Sequence, residues 1–250
     1  MDKKWIVIPD VHGRKFWRDI VKGNEDKQII FLGDYLDPYP REGITPEDAY
    51  NELIDIVEFK KAHPENVTLL LGNHDLGYLE ANICMTRQDV LNRNRNKDFL
   101  NDNLSLFDIV AVGRFGNEKI LFSHAGLRSS WLLHNDWLFD VINFSPDSIN
   151  ELFHDDLRRE DLFVALSDVS VYRGGFRRSG SVVWTDIEEF ISNADELPGY
   201  IQVFGHTLHA GGALEIDKHL WCLDCRKGFQ VTPSPDKTNI EIRELGLVVL

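Results

Sequence analysis

Five apolar runs in this 250-residue chain each break off into side chains that ligate metals or move protons. Ile6-Val7-Ile8 precedes Asp10 and His12, Ile29-Ile30-Phe31-Leu32 precedes Asp34, and Leu69-Leu70-Leu71 precedes Asn73 and His74. Ile120-Leu121-Phe122 leads to His124, and Ile201-Gln202-Val203-Phe204 leads to His206. Short β-branched runs read as buried strands, and layered α/β folds bind ligands beyond the carboxyl ends of their strands. The pattern predicts a metal-dependent hydrolase with its site at one level of a sheet. A lone strand-end Asp is usually a cap or turn residue, and a lone His a satisfied core or surface group. Six such residues repeated at one level are poorly explained that way.

Asp10 and His12 stand two residues apart just past a strand, so both can turn toward one ion. Asp34 can bridge two cations with its two oxygens, and Asn73, His124 and His206 supply neutral donors to a second. Two carboxylates among nitrogen and oxygen donors suit two divalent ions, manganese first with iron or zinc as alternatives, better than calcium. Gly13, Gly33, Gly72, Gly126 and Gly205 flank these residues, where a missing Cβ permits sharp turns and close backbone approach.

The elements that must position them alternate in the first third: strands at about 4–9, 28–33 and 67–72, and helices at about 14–22 and 46–62. That is the βαβ pattern of parallel strands. Thr45-Pro46-Glu47-Asp48 carries the signals of a helix start. Residues 76–106 read as helical and polar, and Arg87, Arg93, Arg95 and Lys97 within them as a solvated face rather than a substrate-steering patch. A strand pair is expected at about 107–113 and 118–123. Residues 129–170 carry Trp131, Trp137, Phe139, Phe144 and Phe153, expected in helices beside the site, with a helical cap over the crevice as the alternative. The last third predicts strands at about 181–184, 200–205, 212–217, 219–224 and 239–250 and a helix near 186–193. Nothing marks a second domain, so a single domain over 1–250 is expected.

A chain 43% hydrophobic and 27% charged is long enough for a sizeable core. The opening Met1-Asp2-Lys3-Lys4-Trp5 has no signal-peptide core, and no apolar run is long enough to span a membrane, which predicts a cytoplasmic protein. A net charge of −14 disfavours tracking a nucleic-acid backbone, though not small phosphorylated substrates. Three cysteines do not make a disulfide framework, and Cys222-x-x-Cys225 reads as two structural residues.

The ordered motifs resemble those of the calcineurin-like metallophosphoesterases. Asp10-Val11-His12-Gly13 is similar to that family's D-x-H-G, Gly33-Asp34-Tyr35-Leu36-Asp37 to its G-D-x-x-D, and Gly72-Asn73-His74-Asp75 to its G-N-H-[DE]. Ser123-His124-Ala125-Gly126 and Gly205-His206-Thr207 match the two later histidine motifs. The resemblance spans residues 10 to about 207 and looks closest to the serine/threonine-phosphatase-like and bis(5'-nucleosyl)-tetraphosphatase branches. It implies a four-layer α/β fold, a central mixed β-sandwich flanked by helices. It also implies that Asp10, His12, Asp34, Asn73, His124 and His206 hold two metals, and that His74, oriented by Asp37, protonates the leaving group.

Two departures matter. Pro38 stands where many members of those branches carry an arginine after the second Asp. Arg173-Gly174-Gly175 ahead of Trp184-Thr185-Asp186 resembles their arginine loop, so Arg173, with Arg177 beside it, is the expected phosphate-binding residue. Arg178, Arg41, Arg128 and Arg14 are rivals that spacing does not rank. His209 falls one residue off a G-H-x-H motif and is expected to be structural.

The function these readings imply is hydrolysis of phosphomonoesters, on a phosphorylated small molecule or a phosphoprotein, by a hydroxide held between two metals. Diadenosine polyphosphate hydrolysis is the alternative, with Trp131 and Trp137 available to stack a base. A nuclease-type phosphodiesterase on the same fold is disfavoured by the low basicity. The rival of another class is a metal-binding or scaffold protein without turnover, which would have no need of His74 and Asp37.

Overall fold

The computed structural model describes residues 4–80, 87–115, 117–193, 195–235 and 239–245. Two mixed sheets pack face to face between helices. The first sheet contains β1 (Trp5–Ile8), β2 (Gln28–Phe31), β3 (Val67–Leu70) and β4 (Phe107–Asp108) in parallel. Antiparallel β10 (Phe229–Pro233) and β11 (Ile240–Glu244) extend it beyond β1. The second sheet runs β5 (Val110–Phe115), β6 (Glu118–Ser123), β7 (Tyr200–Phe204), β9 (Leu220–Cys222) and β8 (Leu214–Asp217), with β6, β7 and β9 parallel.

Side-chain alternation divides the core. Trp5, Val7, Ile30, Leu32 and Leu70 face the other sheet and pack with Phe115, Ile120, Phe122, Ile201 and Val203. Ile6, Ile8, Ile29, Phe31, Val67 and Leu69 point to the opposite face, where the helices cover them. A sheet buried on both faces explains why its strands read as unbroken apolar runs. Each buried Val, Leu or Ile contributes about 1.5–3 kcal/mol relative to exposure.

The helices are α1 (Phe16–Val21), α2 (Pro46–Ala62), α3 (Asn73–Leu79), α4 (Arg93–Asp102), α5 (Ser129–His134), α6 (Asp147–His154), α7 (Arg159–Leu166) and α8 (Ile187–Ser192). Thr45 and Asp48 cap α2 reciprocally, as the sequence predicts. In 129–170, Trp131, Phe139, Ile149, Phe153 and Leu162 are buried in the same core as β1 and β2. Among the described residues, no helix is long and apolar enough to cross a membrane.

Three expectations change. The run at 107–113 is two strands in different sheets, because the chain crosses over at Ile109, where the Asn150 Oδ1 accepts the amides of Ile109 and Val110. Residues 181–184 form a turn, with Trp184 and Thr185 amides both donating to the Ser181 carbonyl. Val182 and Val183 are apolar there because they are buried, not because they pair. Strand β10, bracketed by Gly228 and a terminal Pro233, is an addition to the expected set. Parts of the expected elements at 76–106 and 239–250, and the third cysteine, Cys84, lie outside the described residues.

Candidate active site

Parallel register puts the candidates at one level: Ile8 lies opposite Phe31, Phe31 opposite Leu69, and Phe122 opposite Val203. Beyond those pairs the chain turns sharply. His12, Asp34, Asp37 and His206 all adopt positive φ, at 44°, 53°, 58° and 68°. A non-glycine residue in that region costs on the order of 1–3 kcal/mol and persists where surrounding contacts over-determine it. Those contacts are visible here. The buried Asp75 carboxylate accepts the amides of Asp34 (2.7 Å), Gly72 (2.9 Å) and Tyr35 (3.0 Å), tying the ends of β2 and β3 together. Asp10 Oδ1 accepts the His206 amide at 2.9 Å, joining the two sheets, and Asp34 Oδ1 accepts the His74 amide at 2.9 Å. Glycine is required at two of these approaches: a Cβ on Gly72 would sit 2.1 Å from Asp34 Oδ1, and one on Gly205 would sit 2.3 Å from Asp10 Oδ1.

The side chains at this floor are rich in lone pairs. His12 Nδ1 donates to the Leu36 carbonyl at 2.7 Å and His124 Nδ1 to the Leu32 carbonyl at 2.9 Å. Each ring therefore turns an acceptor Nε2 inward. His12 Nε2 faces Asp34 Oδ2 at 3.5 Å, and His124 Nε2 faces Asn73 Oδ1 at 2.9 Å and Asp34 Oδ1 at 3.6 Å. The rings are neutral. Burial first, then His74 and the Arg14 guanidinium, holds His12 well below the usual imidazole range. Burial also lowers His124, and burial with the charge of Arg173 lowers His206. Acceptors facing acceptors are favourable once a cation lies between them, and His206 joins the cluster through Nδ1, 3.1 Å from His124 Nε2. The residues thus fit a metal centre. Two groups bring donor atoms within 4.8 Å of one another, His12 with Asp34 and His74, and Asp34 with His124 and His206. Asp34 belongs to both.

His74 differs from the other rings because both its nitrogens are engaged. Nδ1 donates to Asp37 Oδ2 at 2.7 Å, and Nε2 receives Arg87 Nη2 at 3.2 Å. The other Asp37 oxygen accepts the buried Tyr78 hydroxyl, so the carboxylate is fixed from two sides. This arrangement can orient an imidazole for proton transfer while leaving ligation to its neighbours.

The arginines separate by position. Arg173 reaches the floor: Nη2 donates to Thr207 Oγ1 at 2.6 Å, Nε lies 2.6 Å from Asp186 Oδ2, and its charge is felt by His206 and His124. Arg177 is turned elsewhere. It is 53% exposed, pairs with Asp168 at 2.7 Å, and lines with Arg178, Phe176 and His134 a surface cavity of about 560 Å³. Arg128 is buried against Glu189, and Arg14 is locked to Glu42.

His209 is on the rim, its Nε2 donating to the Cys222 carbonyl at 3.2 Å. Burial pushes the Cys222 thiol up and Cys225 up to about 11, so neither is a thiolate at neutral pH. Trp131 is fully buried, which removes it as a base-stacking surface.

Sequence reasoning missed three neighbours. Arg87, read as part of a solvated face, stands against His74; Arg93 bonds Gln88 and Arg95 pairs with Glu47, as that reading expects. Tyr39 packs edge-on to His12 with centroids 5.1 Å apart. Asp224 is buried, and burial followed by the charge of Asp10 pushes its carboxyl well above the usual range. The only sequence signal for Asp224 is its place after a strand, Leu220–Cys222, beside the others.

Among solved structures, the chain is similar to a protein serine/threonine phosphatase from Saccharomyces cerevisiae, at 16% identity and a TM-score of 0.57, with 99% of this chain and 81% of that one covered. It is also similar to a cold-active protein tyrosine phosphatase, at 15% identity and a TM-score of 0.56, with 97% and 79% covered. At such identities these likenesses speak for the fold alone. No curated protein gives a significant match. Residues 4–210 match the model of the calcineurin-like phosphoesterases, a span that contains Asp10, His12, Asp34, Asn73, His124 and His206 but not Asp224. The chain belongs to the calcineurin-like phosphoesterase family and is a phosphoric ester hydrolase.

Proposed function

We propose that this protein is a binuclear metal-dependent phosphatase acting on phosphomonoesters, whether a phosphorylated small molecule or a phosphoprotein. The observation that carries the proposal is the buried floor of inward-facing acceptors shared through Asp34, with the His74–Asp37 pair beside it. In this reading Asp10, His12 and Asp34 would hold one divalent ion, and Asp34, Asn73, His124 and His206 the other. Manganese is the first candidate, with iron or zinc as alternatives. Two such ions would neutralise phosphate charge and lower the pKa of a water.

The chain's own residues do the rest. Asp37 holds the His74 ring through Nδ1, so Nε2 is aimed into the site, where, once protonated from solvent, it can pass that proton to a departing alkoxide. Arg173 stands at the opposite wall, positioned by Asp186 and Thr207 to donate to non-bridging oxygens. The burial of the floor strengthens each of these interactions relative to water. The packing of 129–170 into the common core supports a single domain in which this segment is a wall rather than a separate cap.

The test is kcat/KM on an aryl phosphate, a phosphopeptide, a diadenosine polyphosphate and a bis-aryl diester, after chelation and after restoration with manganese, iron or zinc. The expected result is metal-restored turnover with a monoester preferred. A dinucleotide or diester preferred by tenfold or more, about 1.4 kcal/mol, overturns the substrate class, and no turnover with any metal overturns the catalytic reading.

A further inference from the structure

We propose that Arg87 is the anion clamp that fits this centre to phosphomonoesters rather than diesters. The proposal rests on the phosphatase reading above and adds to it the residue that selects the ester class.

Arg87 Nη2 donates to His74 Nε2 at 3.2 Å, Nε donates to the Asp37 carbonyl at 3.3 Å, and the guanidinium carbon lies 3.9 Å over the Tyr39 ring. Tyr39 in turn packs against His12. The guanidinium therefore stands over the His74 and His12 side of the floor, across from Arg173. Its backbone, at φ 67°, is in the left-handed region shared by the floor residues His12, Asp34, Asp37 and His206.

Its electrostatic situation differs from that of the other arginines at the site. Arg14 pairs with Glu42, Arg128 with Glu189 and Arg173 with Asp186. Arg87 pairs with no carboxylate among the described residues; its partners are a carbonyl, an imidazole lone pair and an aromatic face. A half-buried guanidinium held only by neutral acceptors has no directly paired carboxylate to give up, and its planar fork matches two phosphate oxygens. A short swing from His74 Nε2 to an anion exchanges a neutral acceptor for a charged one and frees the Nε2 lone pair to take up a proton from solvent, which it can then pass to the leaving oxygen.

The selectivity follows from the ester. A monoester dianion offers three non-bridging oxygens, enough for the metals, Arg173 and Arg87 together. A diester offers only two, so Arg87 adds binding to one class and little to the other.

The experiment compares wild type, Arg87→Ala and Arg87→Lys, each metal-replete and matched for metal content and melting temperature. Orthophosphate binding is measured by calorimetry, together with kcat/KM on an aryl phosphate and a bis-aryl diester. The expected result for Arg87→Ala is at least a tenfold loss of orthophosphate affinity, a fall of ~100-fold on the monoester, and a change of less than about threefold on the diester. Arg87→Lys should recover part of the monoester loss, since it restores charge without the fork. Orthophosphate affinity within twofold of wild type in Arg87→Ala, or equal losses on both esters, overturns the proposal. If the wild type turns over neither ester with any metal, the phosphatase reading fails, and the orthophosphate arm still decides whether Arg87 binds the anion.

Discussion

The floor of the site and its rim are built by different means. Floor residues sit buried at the ends of hydrogen-bonded strands, with His12, Asp34 and His206 in left-handed turns; carboxylates accept the amides of Asp34 and His206, and the Asp34 carbonyl accepts that of His12. The arginines of the rim reach in from loops, partly exposed and held by side-chain contacts: Arg87 on Tyr39, Arg173 on Asp186 and Thr207. Rigid backbone placement is what a pair of ions needs, because ligand distances tolerate little error. A phosphate clamp, the role proposed for these arginines, must admit and release substrate, and loop-borne side chains allow that.

That contrast gives predictions of graded size. The largest effect is expected from Asp34→Asn, which removes the carboxylate common to both donor groups. Activity should fall on the order of a thousandfold or more with loss of bound metal, as expected when several kcal/mol of charge stabilisation disappear. Activity retained with normal metal content would move the bridging role elsewhere.

His74→Asn should spare metal binding and lower kcat by roughly a hundred to ten thousand fold on alkyl phosphates, and less on aryl phosphates, whose leaving groups need little protonation. Equal losses on the two series would take His74 out of that role. At the rim, Arg173→Ala should cost about a hundredfold in kcat/KM at unchanged metal content; a loss of metal instead would make Arg173 a brace of the floor. Arg177→Ala should change kcat/KM by less than about threefold, because its guanidinium is held by Asp168 and turned away from the floor.

Acidity sharpens the same contrast. Burial, with the charge of Asp10 adding and His74 opposing, raises the Asp34 carboxyl well above the ordinary carboxylate range in the metal-free protein. Metal binds the ionised form, so protons compete at Asp34, and affinity must fall as pH falls. Metal affinity measured by competition with a chelator should be weaker at pH 5.5 than at 7.5. Equal affinities would place the metal away from Asp34.

The floor was legible in the sequence for the same reason that it is rigid. Parallel strands end in register, so an apolar run followed by Asp, Asn or His fixes the level of the side chain, and Gly72 and Gly205 mark the close approaches. At the rim Arg173 could be picked out only through its resemblance to a motif, and Arg87 not at all, because loop residues carry no periodicity. An arginine beside Asp37 was sought in sequence and Pro38 found; the fold brings Arg87 to the Asp37 carbonyl from 50 positions away. Arg177 shows the converse, adjacent to Arg173 in sequence yet turned to Asp168. Among the strands, Val182 and Val183 misled because burial alone demanded apolar side chains there.

The central claim, two ions sharing Asp34, is tested most directly by loading the protein with manganese and recording metal stoichiometry with its electron paramagnetic resonance spectrum. The account predicts two ions per chain and an exchange-coupled spectrum that Asp34→Asn abolishes. One ion per chain under metal-replete conditions, or two with the spectrum of isolated manganese, would contradict it.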